Sequence, residues 1–376
     1  MVLVAEEVAM ELEERIELIK TAKKEGKKIA IYFVEDAGVA QFRYRVYNIM
    51  RAMEYEDTAW ETVYFLKTEI KKAKKYLDDG DLFVILRQSA KDSVMMDLID
   101  LIHAKKKKVL FDIDDLVFDL KYLRLVMQST GSKNVLYWLG YMYGVRRIAK
   151  EVDGFLTTND FLAKKIRQSF EKPCVVIPNS LNDKQVRIFD EKKKKHPGFV
   201  VGYFSGSPTH KKDFRVAEAG IIEFLNKHDD ASLWVVGFME FSEAMWRVIR
   251  QGKVTILDYA NYLKMQTQLS EVDVNIAPLV VNDFTNCKSE LKFFEAAVAE
   301  TVTIASPAYT FKKAIKDGEN GFLAKPGEWY EKLEYLYAHP KERQKIALVA
   351  KKYALKHYYG PEFLKQVEAA YEKFAK

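Results

Sequence analysis

At 376 residues the chain exceeds what one ordinary core serves, so two domains are expected. Its composition, 48% hydrophobic and 30% charged, is that of a soluble globular protein; the formal charge of +6 is too small an excess to point to nucleic acid. No stretch reaches the about 18 consecutive apolar residues of a membrane span, and Cys174 and Cys287 lack metal-ligand spacing, so a cytoplasmic protein without a metal is expected.

The N-terminus reads as an amphipathic helix from about Val4 to Lys24. Its early acidic residues exclude a secretory signal, and packing on the domain is expected ahead of docking at a membrane interface. Short apolar strands then alternate with helices, the pattern of parallel α/β sheets. Strands are expected at 28–34, 82–87, 108–113, 154–159 and 174–179. Helices are expected at Phe42–Met53, Val94–Ala104, Val135–Lys150 and Asp160–Ser169. The charged stretch 190–198, closed by Pro-Gly, reads as a linker. A second series follows, with strands at 199–205, 232–237, 253–258, 274–279 and 302–306. Its helices are expected at Asp213–Lys227, Tyr259–Glu271, Ser289–Ala299, Pro307–Asp317 and Glu328–Ala338, with two more at about Lys341–His357 and Pro361–Phe374. The lysine runs at 105–108 and 192–195 read first as solvated loops, then as contacts to an anionic membrane face or a phosphate-bearing substrate.

The stretch from Val274 to Ala324 carries the chemistry. A helix expected to start near Lys288 and Ser289 would set Lys288, Lys292 and Glu295 at i, i+4 and i+7, on one polar stripe. A helix N-terminus at a strand end suits a diphosphate. Ser289 would cap it, Lys288 and Lys292 would add charge, and Glu295 would accept hydrogen bonds from ribose hydroxyls. A solvated surface helix is the competing reading. The loop opening this half has Gly206 for close backbone approach, hydroxyls on Ser207 and Thr209, and in His210 the best single histidine candidate. An ordinary strand-to-helix turn competes with that reading. In the first half, Arg43 and Arg45 near a helix start suit an acceptor phosphate held bidentately, against plain ion pairing.

From Phe199 to about Pro361 the sequence resembles the donor domain of retaining GT-B glycosyltransferases of family 4. VGYFSGSPTHKKDF, LWVVG, YLKMQTQLSEVDVNIAPL, FFEAAVAETVTIAS and IKDGENGFLAKPGEWYEKLEYL occur in the family's order. The resemblance implies two Rossmann-like doubly wound domains facing a central cleft, with C-terminal helices packing back towards the first. The boundaries are 1–190 for the acceptor-side domain, 191–198 for the linker, 199–358 for the donor domain and 359–376 for the returning helix. By position Glu295 matches the second glutamate of the family's pair. Cys287 stands where the first belongs, and the Lys-Ser-x-x-Lys pattern at 288–292 resembles a variant signature. Glu290, or the lysine pair, would take over the missing role. Gly38 matches the family's N-terminal glycine loop.

The Asp-rich stretch 109–119 admits three readings: a metal-binding Asp-x-Asp, a phosphatase nucleophile motif, or an acceptor-side loop in which Asp112, Asp114 or Asp115 orients a hydroxyl. The last is preferred. The implied function is sugar transfer from a nucleoside-diphosphate sugar to a glycan or lipid-linked saccharide, with retention, without an obligatory cofactor, in polysaccharide or cell-surface biosynthesis. The implied location is cytoplasmic, with peripheral contact to an anionic inner membrane face left open. The rivals are a nucleotide-sugar epimerase and a non-catalytic nucleotide- or glycan-binding subunit.

Overall fold

The computed structural model describes residues 9–90, 92–188, 196–205, 211–237, 239–258 and 261–375. The chain forms two units, one of Met1–Asn182 with Tyr358–Lys376, the other of Asp183–His357. The turn of helix Asp183–Arg187 belongs to the second unit, where Gln185 donates to Gln266 at 3.1 Å.

The first unit is built on six parallel strands: β1 (Lys28–Val34), β2 (Trp60–Leu66), β3 (Leu82–Leu86), β4 (Val109–Ile113), β5 (Gly154–Thr157) and β6 (Cys174–Val176), in the order β2-β1-β3-β4-β5-β6. Helices cover both faces, so β3, β4 and β5 are buried along their whole length and read as continuous apolar runs. The edge strand β2 escapes the sequence pattern because Glu61 and Thr62 interrupt it. It is covered by the helix Leu12–Lys24, whose Arg15 grips Glu69 with two nitrogens at 2.8 and 2.9 Å and reaches the Tyr64 carbonyl at 2.7 Å. The N-terminal helix thus buries Leu12, Ile19 and Ala22 on its own domain.

The last helix, Gly360–Ala375, belongs to the same unit. Its buried residues Phe363, Leu364, Val367, Ala370, Tyr371 and Phe374 follow helical spacing. Tyr371 meets the Tyr32 hydroxyl at 3.0 Å, and Glu372 accepts from the Trp60 indole at 2.9 Å. In the 105–108 lysine run, Lys107 donates to the carbonyls of Leu77, Asp78 and Gly80, while Lys105 and Lys108 pair with Asp78 and Asp153. Lys107 staples loops together, while Lys105, Lys106 and Lys108 are exposed, as expected of a solvated loop.

The second unit has strands β7 (Phe199–Phe204), β8 (Ala231–Val236), β9 (Val254–Leu257), β10 (Val274–Ala277), β11 (Val302–Ala305) and β12 (Phe322–Leu323), all parallel, in the order β12-β11-β10-β7-β8-β9. Winding runs outward from β7 through β8 and β9, then restarts on the other side of β7 at β10. Its core joins Val201, Tyr203, Leu233, Ile276 and Ile304 to Phe214 and Ile221 of the helix Lys211–Lys227 and Leu333 of Trp329–Ala338. The sequence reading also passes over the helices Leu123–Thr130 and Glu243–Arg250, both only eight residues long. Among the described residues no helix is long and apolar enough to cross a membrane.

Candidate functional site

In an open parallel sheet, the reversal of winding leaves a crevice beyond the carboxyl ends of the two strands that flank it. In the second unit those strands are β7 and β10. The chain leaving β10 is clamped there from several directions. Leu279 N–H donates to the Ser306 hydroxyl at 2.9 Å, and Val280 N–H to the Asp213 carboxylate at 2.8 Å. Asn282 caps the short helix Asp283–Asn286 by accepting from Phe284 and Thr285 N–H. Asn286 accepts from Tyr309 N–H at 2.9 Å, and the Thr310 hydroxyl donates to the Lys288 carbonyl at 2.9 Å.

The next helix is Leu291–Val298, with Glu290 at its N-cap. This corrects the expected start at Lys288 and Ser289. Asp283–Asn286 forms a separate turn, Cys287 ends it, and Lys288 and Ser289 lie between the two helices. Ser289 is therefore not the cap, and Glu290 caps through its backbone alone. Lys288 stands off the helical stripe, with Nζ 4.5 Å from the centre of the Phe284 ring. What remains of the stripe is Lys292 and Glu295, one turn apart. Nor is that helix a solvated one: Phe293 to Val298 are all buried.

Lys292 is half-buried beside β7, its Nζ 4.8 Å from the centre of the Tyr203 ring. Among the described residues, none forms an ion pair or hydrogen bond with that ammonium. Desolvation pulls its pKa down from 10.5 to about 8, while Asp213 and Glu295 act in the opposite direction. Its backbone is fixed by Asn275 on β10, whose amide donates to the Lys292 carbonyl at 3.0 Å and to the Thr303 hydroxyl at 3.1 Å. Glu295 is only 2% exposed. Gln266 donates to its backbone carbonyl at 2.6 Å, and Gln185 approaches Oε1 at 3.4 Å. Asn275, Asp213, Tyr203, Gln185 and Gln266 position this site; of these the sequence reading named only Asp213, as a helix start, and none as a site residue. The one visible signal was a polar Asn in the otherwise apolar strand VNIAPL. Gly206, Ser207, Thr209 and His210 lie outside the described residues.

The first unit overturns two expectations. Arg45 and Asp112 do not face an acceptor: they are 1% and 0% exposed and bound to each other, with Arg45 Nε at 3.0 and 3.1 Å from the two carboxylate oxygens. Arg45 also donates to the Ile177 carbonyl and, at 3.4 Å, to Asn179. The expected Phe42–Met53 helix is broken by a π-helical turn over Arg43–Tyr47, where this arginine is anchored. Arg43 is buried too; its guanidinium lies 4.2 Å from the Tyr44 ring centre and donates to the Tyr44 hydroxyl at 2.9 Å. Asp114 accepts from Arg87 Nε, and Asp115 lies 3.6 Å from the same guanidinium, which also donates to the Tyr141 hydroxyl at 2.7 Å. With an arginine on each of the three aspartates, the stretch is a set of ion pairs. Gly38 sits in the turn after β1, its N–H donating to Asp36 at 2.7 Å.

Comparison with known proteins agrees with this geometry. Residues 199–339, within the second unit, match the family of glycosyl transferases group 1. The fold of the chain is GT-B, shared with solved glycosyltransferases. One is HepE (Alr3699) of Anabaena, solved with UDP: TM-score 0.60, 14% identity, covering 92% of this chain and 100% of that one. Another is a glycosyltransferase of Rickettsia africae: TM-score 0.64, 12% identity, covering 93% and 99%. A third is a sucrose-phosphate synthase of Thermosynechococcus elongatus: TM-score 0.57, 13% identity, covering 92% and 98%. No curated protein sequence matches the chain.

Two outcomes follow from the buried charges. Arg45→Met strands the Asp112 carboxylate and should destabilise the protein by about 3–5 kcal/mol in urea unfolding, whereas Arg45→Met with Asp112→Leu should recover much of that loss. Lys292→Met should do the opposite and stabilise at pH 7, by roughly 1–3 kcal/mol. The sign follows from the depressed pKa. Between about pH 8 and the ordinary lysine value, the unfolded wild type holds a proton the folded protein has released, so wild-type stability climbs with pH. The advantage of Lys292→Met is therefore complete below about pH 8 and vanishes above the ordinary lysine range, which thermal melts across that window will read.

Proposed function

We propose that the protein is a glycosyltransferase that binds a nucleoside-diphosphate sugar in the second unit, at the ends of β7 and β10. The observation that carries this reading is Lys292, a desolvated ammonium held at the switch point of the sheet without a carboxylate partner among the described residues. A buried cation kept in that state is suited to an anion that arrives with the substrate. The group 1 match over the same residues supports it, as do the UDP complexes of HepE.

In this reading the N–H groups at the start of the Leu291–Val298 helix, together with Lys292 and Lys288, hold the diphosphate. As the anomeric C–O bond breaks, negative charge grows on the leaving phosphate. Each well-placed donor then lowers the barrier by roughly 3–4 kcal/mol. Glu295, one turn on, accepts from the ribose hydroxyls in place of Gln185. Glu290 is the carboxylate nearest in sequence to the family's missing glutamate. Retention of configuration, an acceptor that is a glycan or lipid-linked saccharide, and a role in polysaccharide or cell-surface biosynthesis complete the proposal. No metal is required for transfer.

Calorimetry with UDP tests the donor site. Glu295→Gln should weaken binding by about 1.5–3 kcal/mol, the scale of a charged hydrogen bond. Wild-type affinity for UDP should fall as pH rises through about 8, since binding then requires Lys292 to regain its proton; in Lys292→Met that pH dependence should be gone. Unchanged affinity in Glu295→Gln would place the nucleotide elsewhere. Turnover should need donor and acceptor together and survive EDTA. Conversion of the donor alone would identify an epimerase, and no turnover a binding subunit.

A further inference from the structure

The segment Leu120–Lys150 differs in character from the rest of the chain. It contains six basic residues, Lys121, Arg124, Lys133, Arg146, Arg147 and Lys150, and no aspartate or glutamate. The whole chain carries a formal charge of +6, so the excess resides in these 31 residues and the remainder is neutral.

The segment folds as two helices, Leu123–Thr130 and Val135–Glu151, joined by a tight turn at Gly131. The second helix is seated only by its later turns. Its buried residues are Met142, Gly144, Val145, Ile148 and Ala149, and Gly144 packs so tightly that a Cβ there would lie 2.1 Å from the Ser89 hydroxyl. The first two turns present Leu136 at 82% exposure and Tyr137 at 53%, with Val135 and Leu139 also exposed; Tyr143, in the next turn, is 61% exposed, as is Leu120 at 40% ahead of the first helix. No charged side chain lies between Lys133 and Arg146. Trp138 and Tyr141 pack edge to face behind these residues, and Arg87 ties the Tyr141 hydroxyl inward.

We infer that this exposed helix end is a docking surface for an anionic lipid bilayer, with Leu136, Tyr137, Leu139 and Tyr143 entering the interface and Arg124 and Lys133 engaging the head groups. Exposed leucines beside tyrosine and tryptophan, flanked by cations, match the polarity gradient of a membrane interface. Charge complementarity selects the occupant. A second copy meeting the same face about a twofold axis would bring two copies of this basic segment together, which repel. Among the described residues, Lys121 is the only one of the six cations tied to an acid, Asp119 at 3.0 Å, and Arg124 and Lys133 are exposed. The inference rests on the first unit and stands or falls separately from the donor site.

Flotation of the full chain with vesicles of phosphatidylcholine containing about one third phosphatidylglycerol tests it. The protein should float with these vesicles at low salt, and much less at high salt or with phosphatidylcholine alone. Leu136→Glu with Tyr137→Glu should reduce the bound fraction at least about tenfold, while circular dichroism stays unchanged because both side chains face solvent. Arg124→Gln and Lys133→Gln should each weaken binding about fivefold and flatten the salt dependence. Failure of the wild type to float, or equal flotation of Leu136→Glu/Tyr137→Glu, overturns the inference. So does a wild-type dimer in sedimentation that Leu136→Glu dissociates, which would assign the face to a second copy.

Discussion

A parallel sheet wound outward from one central strand can reverse its winding at only one place, and no crossover covers the strand ends there. In the second unit that place lies between β7 and β10. Everything of chemical interest in the unit is arranged about it: Tyr203 on β7 under Lys292, Asn275 on β10 holding the Lys292 backbone, and Asp213 tying the post-β10 loop to the following helix. A half-buried ammonium with no ion-pair partner among the described residues is unfavourable for the folded state. It persists because the backbone around it is fixed by hydrogen bonds that do not involve the charge, the usual condition for strain held at a binding site.

The two units use buried charge in opposite ways. In the first, Arg45 and Asp112 neutralise each other within the fold, and Arg87 answers Asp114 and Asp115. These pairs are complete without a ligand. In the second, the Lys292 ammonium meets no carboxylate partner among the described residues, and Glu295, one helical turn on, is buried beside Gln185. Charged residues near strand ends are thus poor guides to function until their partners are known.

That distinction marks how far the sequence could be read. Strands such as Lys28–Val34 and helices such as Val94–Ala104 were legible, because both faces of a parallel strand and one face of a helix leave plain apolar patterns. The edge strand Trp60–Leu66 was not, since Glu61 and Thr62 interrupt its apolar run. The site was half legible. Lys292 and Glu295 could be placed on one helix from their spacing, but the break at Cys287 could not, because it is flanked by tertiary bonds from Tyr309 to Asn286 and from Thr310 to Lys288. Likewise Arg43 and Arg45 look alike in sequence to residues that hold phosphates, and only the fold reveals Asp112 behind one and the Tyr44 ring against the other.

The buried pair of Arg45 and Asp112 also has an evolutionary consequence. The residues lie 67 positions apart in the chain, on elements that contact through these side chains. Loss of either one leaves a charge in a dry interior, so a lineage cannot drift through the single changes without passing through a poorly folded intermediate. Among descendants of a common ancestor the two positions should therefore vary together or not at all, and their joint substitution by apolar residues should mark deep branches. The Arg87, Asp114 and Asp115 group, partly open to water, is under a weaker form of the same coupling and should diversify sooner.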